Sequence, residues 1–79
     1  MQLSSVKYVR DEKIIKLLGK KIKQLREEQE ISQRQLAFEA NIPETQVRRI
    51  EKGQINTGIS TIAAITKALG VHPKELFDF

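Results

Sequence analysis

Between Ser32 and Gly53 the chain stops one helix and starts another within three residues, which restricts the fold more than any other feature of the sequence. Ser32 followed by Gln35 has capping-box spacing, in which hydroxyl and amide each satisfy an orphan backbone donor, so a helix begins at Gln33. Its apolar side is Leu36, Ala37 and Ala40, and Ile31 ahead of the cap packs back as a staple. Asn41 ends it, because asparagine tolerates the left-handed conformation of a helix terminus. Pro43 restarts the chain, since its fixed φ suits a helix start, where its missing N–H would have had no intrahelical partner. The next helix covers 44 to 52, and Gly53 closes it.

The rest of the chain is helical too. Ile15, Leu18, Ile22 and Leu25 recur at helical spacing, so a first helix runs from about Asp11 to near Gln29 with lysines on its wet face. Residues 54 to 58 form a loop. Ile59, Ile62, Ile65 and Leu69 mark a fourth helix that Gly70 stops, and a last short helix starts at Pro73 with His72 at its cap. Residues 1 to 10 carry little pattern beyond Val6 and Tyr8 alternating with Ser5 and Lys7, and read as a mobile arm or a short extended strand. The expected fold is all-α: a compact bundle of five short helices in one domain over 11 to 79, with a flexible N-terminal arm over 1 to 10.

Composition narrows what such a bundle does. A chain of 79 residues buries only about 60% of its unfolded surface, which leaves room for one core and no deep cleft. The absence of cysteine removes disulfides, thiolate chemistry and cysteine-ligated zinc, and fits a cytoplasmic location. No apolar run approaches the roughly 20 residues of a membrane span, and the N-terminus lacks the apolar stretch of a secretory signal. His72 is the only histidine and the carboxylates are scattered, so neither a metal, a cofactor nor an enzymatic activity is expected. Leu76, Phe77 and Phe79 either complete the core or form an apolar patch for a second subunit. The net charge of +4 is uneven: residues 1 to 26 carry eight Lys/Arg against two Asp/Glu, and the remainder six against eight. That imbalance favours a polyanionic partner but does not separate DNA, RNA and anionic lipid from a merely solvated face.

Two short helices joined by Asn41-Ile42-Pro43 have the form of a helix-turn-helix, although αα-hairpins that serve only packing share the spacing. At about 100° per residue, Val47, Ile50 and Glu51 of the second helix fall on one side, and Thr45, Arg49 and Lys52 lie opposite, flanked by Gln46 and Arg48. An outward side that is basic and hydroxyl-bearing suits a DNA major groove about 12 Å wide. Arg49 can bridge O6 and N7 of a guanine, Thr45 can contact a thymine methyl, Gln46 can pair with adenine, and Arg48 beside them is a further candidate base reader. Glu44 either accepts from a cytosine or adenine amino group or repels other bases, and with Arg48 it also makes an ordinary i,i+4 surface pair. Ser32 and Gln33, at the start of their helix, are placed for phosphate contacts, and Lys52, Asn56 and Thr57 could hold the backbone on the opposite flank.

Residues 18 to 77 resemble the lambda-repressor-like, Xre-type helix-turn-helix family, through IKQLREEQEISQRQLA, then ANIPETQVRRIEKG, then ISTIAAITKALGV. The resemblance implies that Gln33 contacts phosphate, that Glu44, Thr45 and Arg49 read bases, and that Arg26 and Glu51 form a structural ion pair between helices one and three. It implies a sequence-specific transcriptional regulator, similar to restriction-modification controllers and small phage repressors, binding double-stranded DNA as a homodimer with helix 44 to 52 in the major groove. The alternative is an antitoxin or protein-interaction module of the same fold, with a toxin or polymerase as partner. Three positions depart from the family pattern. Glu30 stands where glycine often ends helix one, which points to a differently built turn. Pro43 replaces a Ser/Thr cap, and Thr57-Gly58 replaces the common proline and cap.

Overall fold

The computed structural model describes residues 10 to 79, so the expected arm lies outside the described residues except for Arg10. Four α-helices, α1 (Glu12–Glu28), α2 (Gln33–Ala40), α3 (Glu44–Glu51) and α4 (Ile59–Leu69), precede a 3-10 turn, Pro73–Phe77. There is no strand among the described residues, and no helix is long and apolar enough to cross a membrane.

The helical starts follow from side-chain chemistry. Asp11 accepts the Ile14 N–H at 3.1 Å and opens α1, and Ser32 Oγ accepts the Gln35 N–H at 3.0 Å and opens α2. His72 caps the final turn, its Nδ1 accepting from Lys74 N–H at 3.1 Å while Glu75 accepts from His72 N–H at 2.9 Å. One core joins all five elements: Leu18 and Ile22 from α1, Leu36 and Ala37 from α2, Val47 and Ile50 from α3, Ile65 and Leu69 from α4, and Leu76 from the turn. Fully burying side chains of this size stabilises by about 1.5 to 3 kcal/mol each, and this core, without disulfides, holds the domain.

Two details of the apolar pattern differ from expectation. Ile59 begins α4 at the expected spacing but is 84% exposed, while Ile62 one turn on packs against the core. Thr66 is buried, its hydroxyl donating to the Ala63 carbonyl at 2.9 Å, which satisfies a polar group that would otherwise be costly inside. Leu76 joins the core while Phe77 and Phe79 stay exposed, with ring centroids 6.3 Å apart.

All four helices end in the same way. Each ends on a residue of positive φ: Asn41 (59°) and Gly70 (69°) at the C-caps of α2 and α4, and Glu30 (57°) and Gly53 (70°) one residue past the C-caps of α1 and α3. The residue after that one donates back to the last turn: Ile31 to Arg26 O, Ile42 to Ala37 O, Gln54 to Arg49 O, and Val71 to Thr66 O. These are Schellman closures, which satisfy carbonyls that a helix end leaves without partners. At the end of α1 the turn therefore keeps the geometry a glycine would supply; what departs from the family pattern is the residue that occupies it. Left-handed backbone costs a residue with a Cβ about 1 to 2 kcal/mol, partly offset by the greater freedom glycine has when unfolded. Glu30→Gly is expected to raise stability by about 0.5 to 1 kcal/mol, read as a higher urea midpoint at unchanged slope. A lower midpoint would show that the Glu30 side chain contributes more than its backbone strain costs.

Candidate nucleic-acid interface

The outer surface of α3 is fixed by how its inner surface is held. Val47 and Ile50 lie in the core and Glu51 is buried beside them. α1 closes on this end of α3 with backbone nearly touching backbone: a Cβ placed on Gly19 would lie 2.2 Å from the Ile50 carbonyl oxygen and 3.0 Å from that of Glu51. Arg26 of α1 forks onto the Glu51 carboxylate, Nε donating to Oε2 at 2.7 Å and Nη2 to Oε1 at 3.0 Å, while Nη1 donates to the Ile31 carbonyl at 2.8 Å. The hydrogen bonds it donates to Glu51, and then the charge of that carboxylate, hold the Arg26 guanidinium above its ordinary pKa against the opposing effect of burial. Gln33 Nε2 donates to the same Glu51 Oε1 at 3.0 Å. One carboxylate thus ties α1, the first residue of α2 and the last residue of α3.

With that face held, Thr45 and Arg49 are exposed one turn apart, and Lys52 continues the line at the C-cap of α3. Glu44, Gln46 and Arg48 flank it, each half-buried. Arg48 Nη2 donates to Glu44 Oε2 at 3.4 Å with both side chains more than 40% exposed, an i,i+4 pair of only a few tenths of a kcal/mol. Glu44 therefore does not stand as an isolated negative charge on this surface. Pro43 precedes the helix without a side-chain cap, so the first N–H groups of α3 have no side-chain acceptor from the cap.

The residues expected at phosphates are distributed around this line. Ser32 is exposed at the start of α2, and since its oxygen already accepts from Gln35, its hydroxyl hydrogen is what it offers to a partner. Gln33 is half-buried with one amide hydrogen on Glu51; an amide carries two, so the second stays free for an anion. Lys52 and Asn56 are exposed at the other end. Thr57 differs from the others, since its Oγ1 is buried and without a hydrogen-bond partner among the described residues. Among the described residues no three His, Cys, Asp or Glu converge as a metal centre requires.

Three structural contacts were not read from the sequence. Gly19 is the one with a signal, since a glycine inside a strong helical pattern marks close backbone approach. Gln29 Nε2 donates to the Leu69 carbonyl at 2.6 Å, tying the end of α1 to the end of α4. Arg10 Nη2 donates to the Gln54 carbonyl at 3.0 Å and Arg10 pairs with Glu12, which fixes the start of the described chain beside the loop after α3.

A model of the helix-turn-helix family matches residues 22–76. The chain is 44% identical over 64 residues to the control protein C.BamHI of Bacillus amyloliquefaciens, covering 80% of this chain and 79% of that one. The restriction-modification controller protein C.AhdI of Aeromonas hydrophila superposes with a TM-score of 0.78 at 31% identity, over 82% of this chain and 97% of that one. The controller C.Esp1396I, crystallised as a tetramer with its natural 35 base-pair operator, superposes with a TM-score of 0.77 at 28% identity, over 82% and 86% of the two chains. The outward line of α3, its clamp on α1 and α2, and these relatives agree: the chain belongs to the Xre-type helix-turn-helix family of DNA-binding transcriptional regulators.

Proposed function

We propose that this protein controls transcription by occupying an operator as a homodimer, with α3 of each copy in one half-site. The observation that carries the reading is the pairing of Thr45 and Arg49, exposed one turn apart on a helix whose opposite side is locked by Val47, Ile50 and Glu51. Arg49 presents a planar fork to the O6 and N7 of a guanine, and Thr45 a methyl and a hydroxyl to the neighbouring base. Gln46 flanks them, and the Glu44–Arg48 pair presents a net-neutral acceptor-and-donor couple, so Glu44 discriminates among bases at little electrostatic cost near phosphates. Ser32, Gln33, Lys52 and Asn56 hold the backbone on either side.

The dimer reading rests on exposed Ile59 and Phe77, which line a groove of about 380 Å³ together with Ile62, Ala63 and Pro73, and on exposed Phe79, whose ring lies 6.3 Å from that of Phe77. A two-fold contact brings the same patch from both copies together and sets half-site spacing. The operator-bound tetramer of the controller C.Esp1396I supports such an assembly. A reaction chemistry has no support, because the titratable groups of this surface are paired for structure or spread along it.

The test is an anisotropy titration of the protein on its own upstream DNA. A specific site is expected to bind at least about a thousandfold more tightly than random duplex, with two copies per operator. Arg49→Ala and Thr45→Ala are each expected to cost about 1 to 3 kcal/mol of that preference while leaving random duplex nearly unaffected. An equal loss on both duplexes would remove these residues from base reading.

A further inference from the structure

The lysines of α1 have no part in the interface so far described, yet one of them, Lys16, lies against its end. Lys16 meets Gly53, the residue after the α3 C-cap: a Cβ on Gly53 would lie 2.7 Å from Lys16 Cγ and 3.0 Å from its Cα. Gly53 thus serves twice, adopting the positive φ that closes α3 and leaving room for α1 to pass. Lys16, Lys20 and Lys23 follow one another at spacings of four and three, all exposed, so they occupy one edge of α1 on the solvent side of the Gly19 contact. The row is bounded, because Glu27 takes the next position on that edge and Glu12, one turn before Lys16, is paired with Arg10. Lys52 stands immediately before Gly53 on the outward line of α3.

We propose that Lys16 and Lys20 are phosphate-contacting residues that extend the DNA footprint beyond the half-site read by α3, continuing the line Thr45, Arg49, Lys52 onto α1. The proposal rests on the operator reading above and adds to it a second, sequence-independent stretch of backbone. Two lysines one helical turn apart stand about 5 to 6 Å from each other, and their flexible four-carbon stems let the two ammonium groups reach neighbouring phosphates of one strand. The rigid seating of α1 on Gly53 and Gly19 presents them without a loop to order, so their ammonium groups displace counterions at small conformational cost.

The experiment measures binding against salt for the parent and for K16Q/K20Q, on the operator duplex and on random duplex, with thermal unfolding as a folding control. The expected result is an unchanged melting temperature and a salt slope shallower by about 0.9 per lysine removed on both duplexes. The ratio of operator to random affinity stays where it was. Trimming about three base pairs from the flank outside the half-site is expected to make the parent behave like the variant. An unchanged slope in a variant whose parent prefers the operator overturns the lysine proposal alone. A shallower slope in a protein that prefers no sequence supports the phosphate contacts and overturns the operator reading. Lysine-dependent binding to phosphatidylserine vesicles with no change of slope on DNA assigns the row to a membrane surface and overturns the proposal.

Discussion

Gly19→Ala is expected to destabilise the domain by about 2 kcal/mol, against the direction that helix propensity alone dictates. In an ordinary helix interior alanine is better than glycine by about 1 kcal/mol, since glycine loses more backbone freedom on folding. Gly19 sits mid-way along the seventeen-residue α1, where that rule would apply, but its missing Cβ is the space occupied by the Ile50 carbonyl oxygen. A methyl placed 2.2 Å from that oxygen has no flexible neighbour to displace, because both groups are backbone. Overpacking costs about 1 to 3 kcal/mol where side chains adjust, and two helix axes that must part stand at the upper end of that range. The clash therefore outweighs the propensity gain, and a loss of about 2 kcal/mol lowers the melting temperature by roughly 8 to 16 °C in a domain of this size. Separating the helices also pulls at Glu51, which lies at the contact, and so at its pair with Arg26 two turns further along α1, so operator affinity should fall with stability. A variant as stable as its parent would show that α1 and α3 do not approach backbone to backbone.

The helix boundaries were open to reading because short-range chemistry sets them. Ser32, Asn41, Pro43, Gly53 and Gly70 act on the residues beside them, and helices placed by those signals agree with the structure to within a residue or two. The inner face of α3 was open for the same reason, since Val47, Ile50 and Glu51 follow from helical periodicity. What periodicity does not carry is depth. Ile59 has the right spacing and lies outside the core, whereas Thr66 has the wrong polarity and lies inside it. The Thr57 hydroxyl illustrates the same limit, because a polar residue in a loop reads as surface until the packing of α4 and the final turn places its oxygen inside. The contact of Arg26 with Glu51 between distant helices was legible only through the family resemblance, and the Gln33 bond to the same carboxylate depends on a meeting of three helix ends that spacing within one helix does not encode.

That meeting point is where a single substitution is expected to do most damage. Glu51→Ala should cost about 3 to 5 kcal/mol by leaving a buried guanidinium without its counter-charge, in a domain whose whole stability is about 4 to 12 kcal/mol at this length. Arg26→Ala should cost at least as much. The two side chains are 11% and 2% exposed respectively, so a lone Arg26 retains the Ile31 carbonyl and some water, whereas a lone Glu51 retains only Gln33. Arg26→Lys should fall between parent and alanine, because an ammonium replaces two parallel hydrogen bonds and a carbonyl contact with a point charge. The double variant Arg26→Met/Glu51→Leu should be less destabilised than either single alanine, since it removes both charges and refills the volume. The pairing raises the Arg26 pKa on folding, so its contribution is complete below the ordinary guanidinium range and declines only as pH rises through the raised value; raising pH from 6 to 9 should not weaken it. Urea unfolding of the four variants measures all of this. If the double variant lost as much as the sum of the two single alanine variants, with no coupling between the sites, Arg26 and Glu51 would be contributing through packing, and the ion pair would not be what fixes α3 against α1 and α2.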